Sequence, residues 1–500
     1  MIELRNVTFN YRQTTSASKE SGLKNISLTI RQGECVLLCG ESGCGKTTLA
    51  RLINGLIPHF YEGELSGEVR VDGKRLPDLP LYETAGVIGT VFQDPRSQFF
   101  NVDTASEIAF GPENLGLSEA EITSRVEKVA REMRIEHLLG RSIFKLSGGQ
   151  KQKIACASVA ALCPDIYVLD EPSSNLDMAA MTDLRQHIAL WRSQKKTIIV
   201  AEHRLHYLRG LCDRVIYMRA GRIEQTFTWE ELEALPLQKR TSMGLRVLSL
   251  DELKLSPSGT VAPLTDTLEF SDFVYTYKRG EKALDIPSIS LPRGAVIAVV
   301  GLNGAGKSTF ARCLCGLNKH FRGTLTLAGQ RLRNGARRRQ CFMVMQDVNH
   351  QLFTESVLDE VLLGMKKEDK AAAEAILDSM DLLDLEEAHP MSLSGGEKQR
   401  VAIATATASA REIIVFDEPT SGLDYTHMRS VASNLARLQE MGKTLFAITH
   451  DPELIMACCT HAITIDRGKA QNVLALDGVG RQAILAFFLR KEGERDAVRG

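Results

Sequence analysis

Two glycine-rich stretches in this chain end in a lysine followed by a hydroxyl residue: GESGCGKT at 40–47 and GLNGAGKS at 301–308. Glycines let a backbone wrap around phosphate oxygens so that its N–H groups donate to them. The first cradle comprises Gly40, Glu41, Ser42, Gly43, Cys44, Gly45, Lys46, Thr47 and Thr48. The second comprises Gly301, Leu302, Asn303, Gly304, Ala305, Gly306, Lys307, Ser308 and Thr309. Lys46 and Lys307 suit the β- and γ-phosphates of a nucleotide, and the hydroxyls of Thr47 and Ser308 suit Mg²⁺. Further on, IYVLDE (166–171) and IIVFDE (413–418) end apolar runs on paired carboxylates. A carboxylate at the C-terminal end of a buried strand borders the ligand crevice of an open α/β sheet. Asp170 and Asp417 are therefore expected to hold Mg²⁺, and Glu171 and Glu418 to polarise the attacking water. His203 and His450 end further apolar strands and are expected to touch the γ-phosphate. Gln93 and Gln346 end VIGTVFQ and CFMVMQ, where a neutral amide reaches water and Mg²⁺ without adding charge. Tyr11 and Tyr277 close the first strand of each set and offer a face to adenine.

These residues recur in one order at a fixed distance. The differences 394 − 147, 417 − 170 and 450 − 203 all give 247, whereas 307 − 46 gives 261. The chain is an internal duplication, with length changes confined to the region between cradle and signature. The repeated LSGGQ (146–150) and LSGGE (393–397) place Ser147, Gly148, Gly149, Gln150 and Ser394, Gly395, Gly396, Glu397 where a helix N-terminus can bind an anion. The apolar runs CVLLCG (35–40) and AVIAVVG (295–301) read as strands buried on both faces of a mostly parallel sheet. Glycine loop and helical pattern follow each. Residues 119–139 and 370–385 carry helical spacing. The expected organisation is an α/β domain over 1–235, a linker over 236–267 rich in Pro, Ser, Gly and Thr, a second α/β domain over 268–490 and a polar tail over 491–500.

Composition narrows the function classes. The chain has 500 residues, a formal net charge of −1 and 25% charged residues, a balance that gives no sign of a nucleic-acid surface. No run of about 18 apolar residues occurs, so no transmembrane helix is expected. The stretch MIELRNVTF lacks the apolar centre of a signal peptide. The eleven cysteines are scattered and read as reduced, mostly buried thiols. Cys44, inside a phosphate cradle, is the one whose alkylation would block nucleotide. The basic cluster RNGARRR (333–339) reads as a solvated turn.

The cradles, the LSGG signatures and the carboxylate pairs together resemble the nucleotide-binding domains of ATP-binding-cassette proteins, once in each half. The resemblance implies an antiparallel β subdomain and a helical subdomain beside each parallel core. It also implies an intramolecular head-to-tail pseudo-dimer in which each signature completes the ATP site of the other half, with SNLD (174–177) and SGLD (421–424) as the crossing loops. Neither half departs from the family at a hydrolytic position, so two ATP-hydrolysing sites are expected, with ATP and Mg²⁺ as ligands. The segments QDPRSQFF (93–100) and QDVNHQLF (346–353) resemble those of the ATPase subunits of energy-coupling-factor importers. There, Asp94, Gln98, Asp347 and Gln351 would border the groove for the membrane partner. That resemblance implies a vitamin or trace-metal importer at the cytoplasmic face of the membrane, an integral-membrane coupling protein and a small substrate-binding membrane protein. The alternatives are the fused double ATPase of a conventional importer, such as the sugar type, and a soluble cassette factor acting on ribosomes. The latter fits poorly with a linker holding Lys239, Arg240, Arg246 and Lys254 against Asp251, Glu252 and Asp266.

Overall fold

The computed structural model describes residues 1–12, 22–174, 176–255, 266–277, 280, 282–318 and 321–489. The chain forms two compact units, one spanning Met1–Ser249 and the other beginning at Leu250.

In the first unit a six-stranded sheet runs Arg222–Phe227, Arg214–Arg219, Cys35–Cys39, Thr197–Ala201, Ile166–Asp170, Ile88–Val91. Its neighbours pair in parallel except for the antiparallel hairpin at the first edge. The apolar strands are buried on both faces, as their unbroken hydrophobicity requires. Cys35, Leu37 and Cys39 enter one core with the signature helix Gly148–Ala161 and the helix Met178–Ser193. Val36 and Leu38 enter a second core with the helix Lys46–Ile53 and a four-stranded antiparallel sheet. That sheet runs Leu23–Ile30, Ile2–Tyr11, Gly63–Val71, Lys74–Arg75. Each large side chain so buried contributes about 1.5–3 kcal/mol, and the alternation pins the strand register that sets where Asp170 emerges.

The second unit repeats the plan. Its six strands run Cys341–Val344, Ile413–Asp417, Thr444–Ile448, Val296–Val300, His461–Asp466, Lys469–Ala475, again with one antiparallel edge pair. Its antiparallel sheet runs Lys282–Pro292, Thr267–Thr276, Phe321–Leu327, Gln330–Leu332.

Three expectations change. The basic cluster 333–339, expected as a solvated turn, enters the helix Asn334–Gln340, and Arg337 is buried, donating to Cys313 O at 3.0 Å with its guanidinium over the Phe321 ring. The helices expected over 119–139 and 370–385 stop at Glu132 and Asp378. Arg134 (φ 54°) and Asp381 (φ 54°) adopt left-handed backbone there. Ile135 N–H donates to Ala130 O and Leu382 N–H to Leu377 O, closing both helices on a hydrogen bond that spans the reversal. The stretch 236–267, expected as a linker, is described from Pro236 to Leu255. It forms the helix Leu237–Ser242 and the short helix Leu250–Leu255. Met243, Leu245 and Leu248 join the core of the first unit, which is why this part is no free tether despite its turn-rich composition. Residues 256–265 of it, and the tail from 490, lie outside the described residues.

Candidate active sites

Each site grows from the end of a buried strand. In the first unit the strand Cys35–Cys39 gives way to Gly40, where a Cβ would lie 2.2 Å from Met218 O. Gly45 takes φ 104° just before the helix Lys46–Ile53. Only glycine meets both demands cheaply. Lys46 is buried, and its ammonium donates to Gly40 O at 3.1 Å and Glu41 O at 3.0 Å. The second unit repeats this: Lys307 donates to Gly301 O at 2.8 Å and Leu302 O at 3.0 Å. Both lysines are thus folded back over an open glycine loop, poised for an anion that would replace two carbonyls.

Thr47 Oγ1 donates to Asp170 Oδ1 at 3.1 Å, and the Ser308 side chain stands at the matching place beside Asp417 and pulls its carboxyl down. Burial pushes the Asp170 carboxyl up to about 7; the Glu171 charge adds to the rise, and the Thr47 bond only partly offsets it. Burial likewise raises Asp417 against the opposing pull of Ser308 and Lys307. A hydroxyl and a carboxylate are oxygen donors that fit a hard divalent cation, whose charge would reverse that desolvation penalty.

Glu171 and Glu418 each follow their strand with left-handed backbone, at φ 43° and 52°. This conformation costs a non-glycine residue on the order of 1–2 kcal/mol. The strand register holds it: Glu171 N–H donates to Ala201 O at 2.8 Å and Glu418 N–H to Ile448 O at 2.9 Å. The reversal turns each carboxylate towards its histidine. His203 Nε2 lies 3.3 Å from Glu171 Oε1, and His450 Nε2 lies 3.5 Å from Glu418 Oε1. Burial alone would raise the Glu171 carboxyl, but His203 and Lys46 hold it below the usual carboxylate range. Gln93 Nε2 donates to Glu171 Oε2 at 2.7 Å. Lys46, Thr47, Gln93, Asp170, Glu171 and His203 therefore gather at the C-terminal ends of the parallel strands. In the second unit Lys307, Ser308, Asp417, Glu418 and His450 do the same, and Asn303 Oδ1 joins His450 Nε2 at 3.2 Å. Gln346 lies two residues beyond the strand Cys341–Val344, as Gln93 lies two beyond Ile88–Val91, so neither glutamine itself ends a strand.

The aromatic residues differ between units. Tyr11 donates to Thr48 Oγ1 at 3.2 Å and accepts from Arg51 Nη1 at 3.0 Å. Its ring meets Phe9 and Tyr61 edge to face. Tyr277 is 53% exposed and shares a 3.3 Å hydroxyl contact with Thr309.

Ser147 and Ser394 cap the helices Gly148–Ala161 and Gly395–Ala408 through full capping boxes closed by Gln150 and Glu397. Glu397 Oε2 takes both the backbone N–H (2.8 Å) and the hydroxyl (2.7 Å) of Ser394. Gln150 Oε1 takes only the backbone N–H of Ser147, at 3.0 Å. Cys44 is 4% exposed and its thiol is raised by burial despite nearby Lys46.

Sequence reasoning passed over two buried carboxylates beside the histidines, Glu202 (2% exposed) and Asp451 (1% exposed). The signal was present as an asymmetry, AEHR in one half against ITHD in the other.

Two units of this architecture, each with a lysine-bearing glycine cradle and a carboxylate pair at the strand end, define a tandem ATP-binding-cassette ATPase. The ABC transporter family matches residues 23–174 and 284–421, and the chain belongs to it. A Treponema denticola protein named "Putative ABC transporter ATP-binding protein" is 47% identical over 476 residues, covering 94% of this chain and 96% of its own. A Clostridium perfringens protein of the same description is 34% identical over 514 residues, covering 94% and 89%. Among solved structures, an RNase-L inhibitor superposes with a TM-score of 0.65 over 97% of this chain and 93% of its own. At 21% identity that likeness shows the fold alone. Among the described residues no helix is long and apolar enough to cross a membrane.

Proposed function

We propose that the chain is the ATP-hydrolysing subunit of a membrane importer of the energy-coupling-factor type, serving uptake of a vitamin or trace metal. The observation that carries this reading is a surface turn built twice from the glutamine segments. Asp94 accepts from Arg96 N–H at 3.0 Å and Gln98 Oε1 from Phe92 N–H at 3.3 Å. Asp347 accepts from Asn349 N–H and Gln351 Oε1 from Met345 N–H, both at 3.1 Å. Each aspartate caps a one-turn helix, Pro95–Ser97 or Val348–His350, and each glutamine ties the turn back beside its strand. The ties leave Phe100 75% and Phe353 73% exposed. Large aromatic side chains held in water on a rigid turn are the anchors expected of a docking surface. An integral-membrane coupling protein is the partner this reading assigns to them, which places the chain peripherally at the cytoplasmic face.

In the hydrolytic step Lys46 and Lys307 hold the phosphates, together with the N–H groups of their loops. Thr47 with Asp170, and Ser308 with Asp417, would hold Mg²⁺, which would supply charge neutralisation at the phosphates. Glu171 and Glu418 orient a water and accept hydrogen bonding from it as it attacks the γ-phosphorus. His203 and His450 fix those carboxylates. Gln93, bonded to Glu171, links the attacking side of the first site to its exposed turn, so that occupancy is transmitted to the partner, and Gln346 stands at the matching position in the second unit.

The test is purification in mild detergent from native membranes, with co-purifying proteins identified by mass spectrometry, for the wild type and for Phe100→Asp with Phe353→Asp. The reading requires one polytopic protein and one or more small, different membrane proteins, lost in the double variant while ATPase activity persists. A matched permease pair with a soluble binding protein would replace it with a conventional importer. Ribosomes without membrane proteins would replace it with a translation-linked ATPase.

A further inference from the structure

The residue before each histidine differs between the units, and so does the residue after it. In the first unit the sequence is Glu202-His203-Arg204; in the second it is Thr449-His450-Asp451. Glu202 N–H donates to Leu38 O and Thr449 N–H to Val299 O, so both residues sit at the same strand end beside the cradle strand. Their side chains do different work.

Four donors converge on the Glu202 carboxylate. Oε1 accepts from His203 N–H at 2.7 Å and Arg204 N–H at 3.1 Å. Oε2 accepts from Tyr207 O–H at 3.0 Å and Ser173 N–H at 3.3 Å. Ser173 stands two residues after Glu171, so this one carboxylate ties the loop leaving Glu171 to the backbone of His203. A carboxylate is acceptor-only, and charge-assisted bonds to backbone N–H groups are the strong kind. In the second unit the same two segments are tied by Asp451: its Oδ2 accepts from Thr420 Oγ1 at 2.8 Å. Its Oδ1 accepts from Glu453 N–H at 3.0 Å, and its own N–H donates to Thr449 Oγ1 at 3.0 Å. Thr420 occupies the position in the repeat that Ser173 occupies in the first unit. Arg204, standing where Asp451 stands, carries the wrong charge for this task and donates instead to Leu176 O at 3.3 Å.

We propose that Glu202 is a positioning residue for hydrolysis in the first unit, taking over from the opposite side of the histidine the task that Asp451 performs in the second. It acts through two neighbours. It fixes the His203 backbone, so that Nε2 lies against Glu171, and it fixes the loop that keeps Glu171 in its left-handed conformation. The proposal rests on the assignment of Glu171 and His203 to hydrolysis and is independent of which membrane partner the chain serves.

The experiment uses the full chain carrying Glu418→Gln, so that hydrolysis rests on the first unit, with turnover of radiolabelled ATP as readout. Glu202→Gln keeps the shape, but its single amide oxygen cannot serve both the His203 and Arg204 N–H pair and the Ser173 N–H and Tyr207 O–H pair. The expected result is a kcat lowered roughly tenfold or more with KM for ATP within about twofold, the pattern of a misplaced reacting group. Glu202→Thr with Arg204→Asp rebuilds the Thr-His-Asp order of the second unit and is expected to recover a substantial part of the lost kcat. A merely structural role predicts a lowered melting temperature with unchanged kcat, and that result overturns the proposal, as does a transplant no more active than Glu202→Gln. Should Glu202→Gln fail to fold, Tyr207→Phe removes one donor alone; lowered kcat at constant KM supports the proposal and unchanged kcat overturns it. If Glu171→Gln itself leaves hydrolysis intact, the failure lies in the site assignment and not in the role of Glu202.

Discussion

In the first unit a glutamate precedes the histidine and an arginine follows it; in the second a threonine precedes it and an aspartate follows. Around this exchange, the lysine, the strand-end aspartate, the glutamate with left-handed backbone and the histidine keep their places, and the lysine–carbonyl and glutamate–histidine distances common to both units differ by only tenths of an ångström. The comparison teaches that the reacting geometry constrains residue type tightly at the motif positions and only loosely around them. What must be kept is an acceptor that binds the loop after the glutamate to the segment carrying the histidine, and a carboxylate can reach that point from either side. The same drift appears at the signature, where Glu397 stands for Gln150, and at the aromatic residue, where Tyr11 is bound to Arg51 and Tyr277 is half in water.

The largest effect should come from the residues the units share. Glu171→Gln and Glu418→Gln are each expected to cut steady-state ATP turnover strongly, and together by roughly 10²–10⁴-fold. Full activity in either single variant would show that the two units are not equivalent hydrolytic sites. A smaller difference follows from Asp170, whose carboxyl is raised to about 7. An acid so raised keeps its proton to higher pH, and a cation must expel that proton to bind. Mg·ATP affinity of the first unit should therefore fall roughly tenfold from pH 8 to pH 6. Asp170→Asn should flatten that profile in a fluorescent-nucleotide titration, once the titration of ATP itself, common to both proteins, is divided out.

The signatures sharpen the comparison further. Glu397 puts a carboxylate where the helix Gly395–Ala408 would receive an anion, and it occupies both donors of Ser394. Glu397→Gln should tighten nucleotide binding by about two- to fivefold, and Gln150→Glu should weaken it by a similar factor. Equal affinities in all three proteins would mean that the charge is screened or turned away. The smallest effect concerns Cys44, which has Ala305 as its counterpart. Because burial raises its thiol, iodoacetamide at neutral pH should label exposed Cys163 first and reach Cys44 slowly, faster as pH rises. Rapid loss of ATP binding on alkylation would contradict the packing around that thiol.

Much of this site was legible before any coordinates. The duplication and the strand–glycine loop–helix context follow from local order along the chain, because unbroken apolar runs and glycines at fixed offsets leave few alternatives. The carboxylate pairs were located because Asp170 and Asp417 end apolar runs, and a run's end is visible in one dimension; the histidines, expected to end strands, stand two residues beyond Thr197–Ala201 and Thr444–Ile448, like the glutamines beyond theirs. Helix ends were less legible. Apolar spacing continues past Glu132 and Asp378, yet the backbone reverses at Arg134 and Asp381, residues whose types do not announce left-handed conformation. The turn-rich stretch after Pro236 misled for a related reason. Composition describes propensity, whereas Met243, Leu245 and Leu248 are held by a core assembled from distant strands.

By itself, then, the sequence determined the number of domains, the family and which residue types gather at each candidate site, since those depend on residue type and on spacing within short segments. Tertiary structure alone decided which donors each carboxylate holds. Glu202 acquires its function only because residue 173, on another strand's exit loop, is folded against it. Hydrogen bonds act over about 3 Å, and no distance along the chain records that approach.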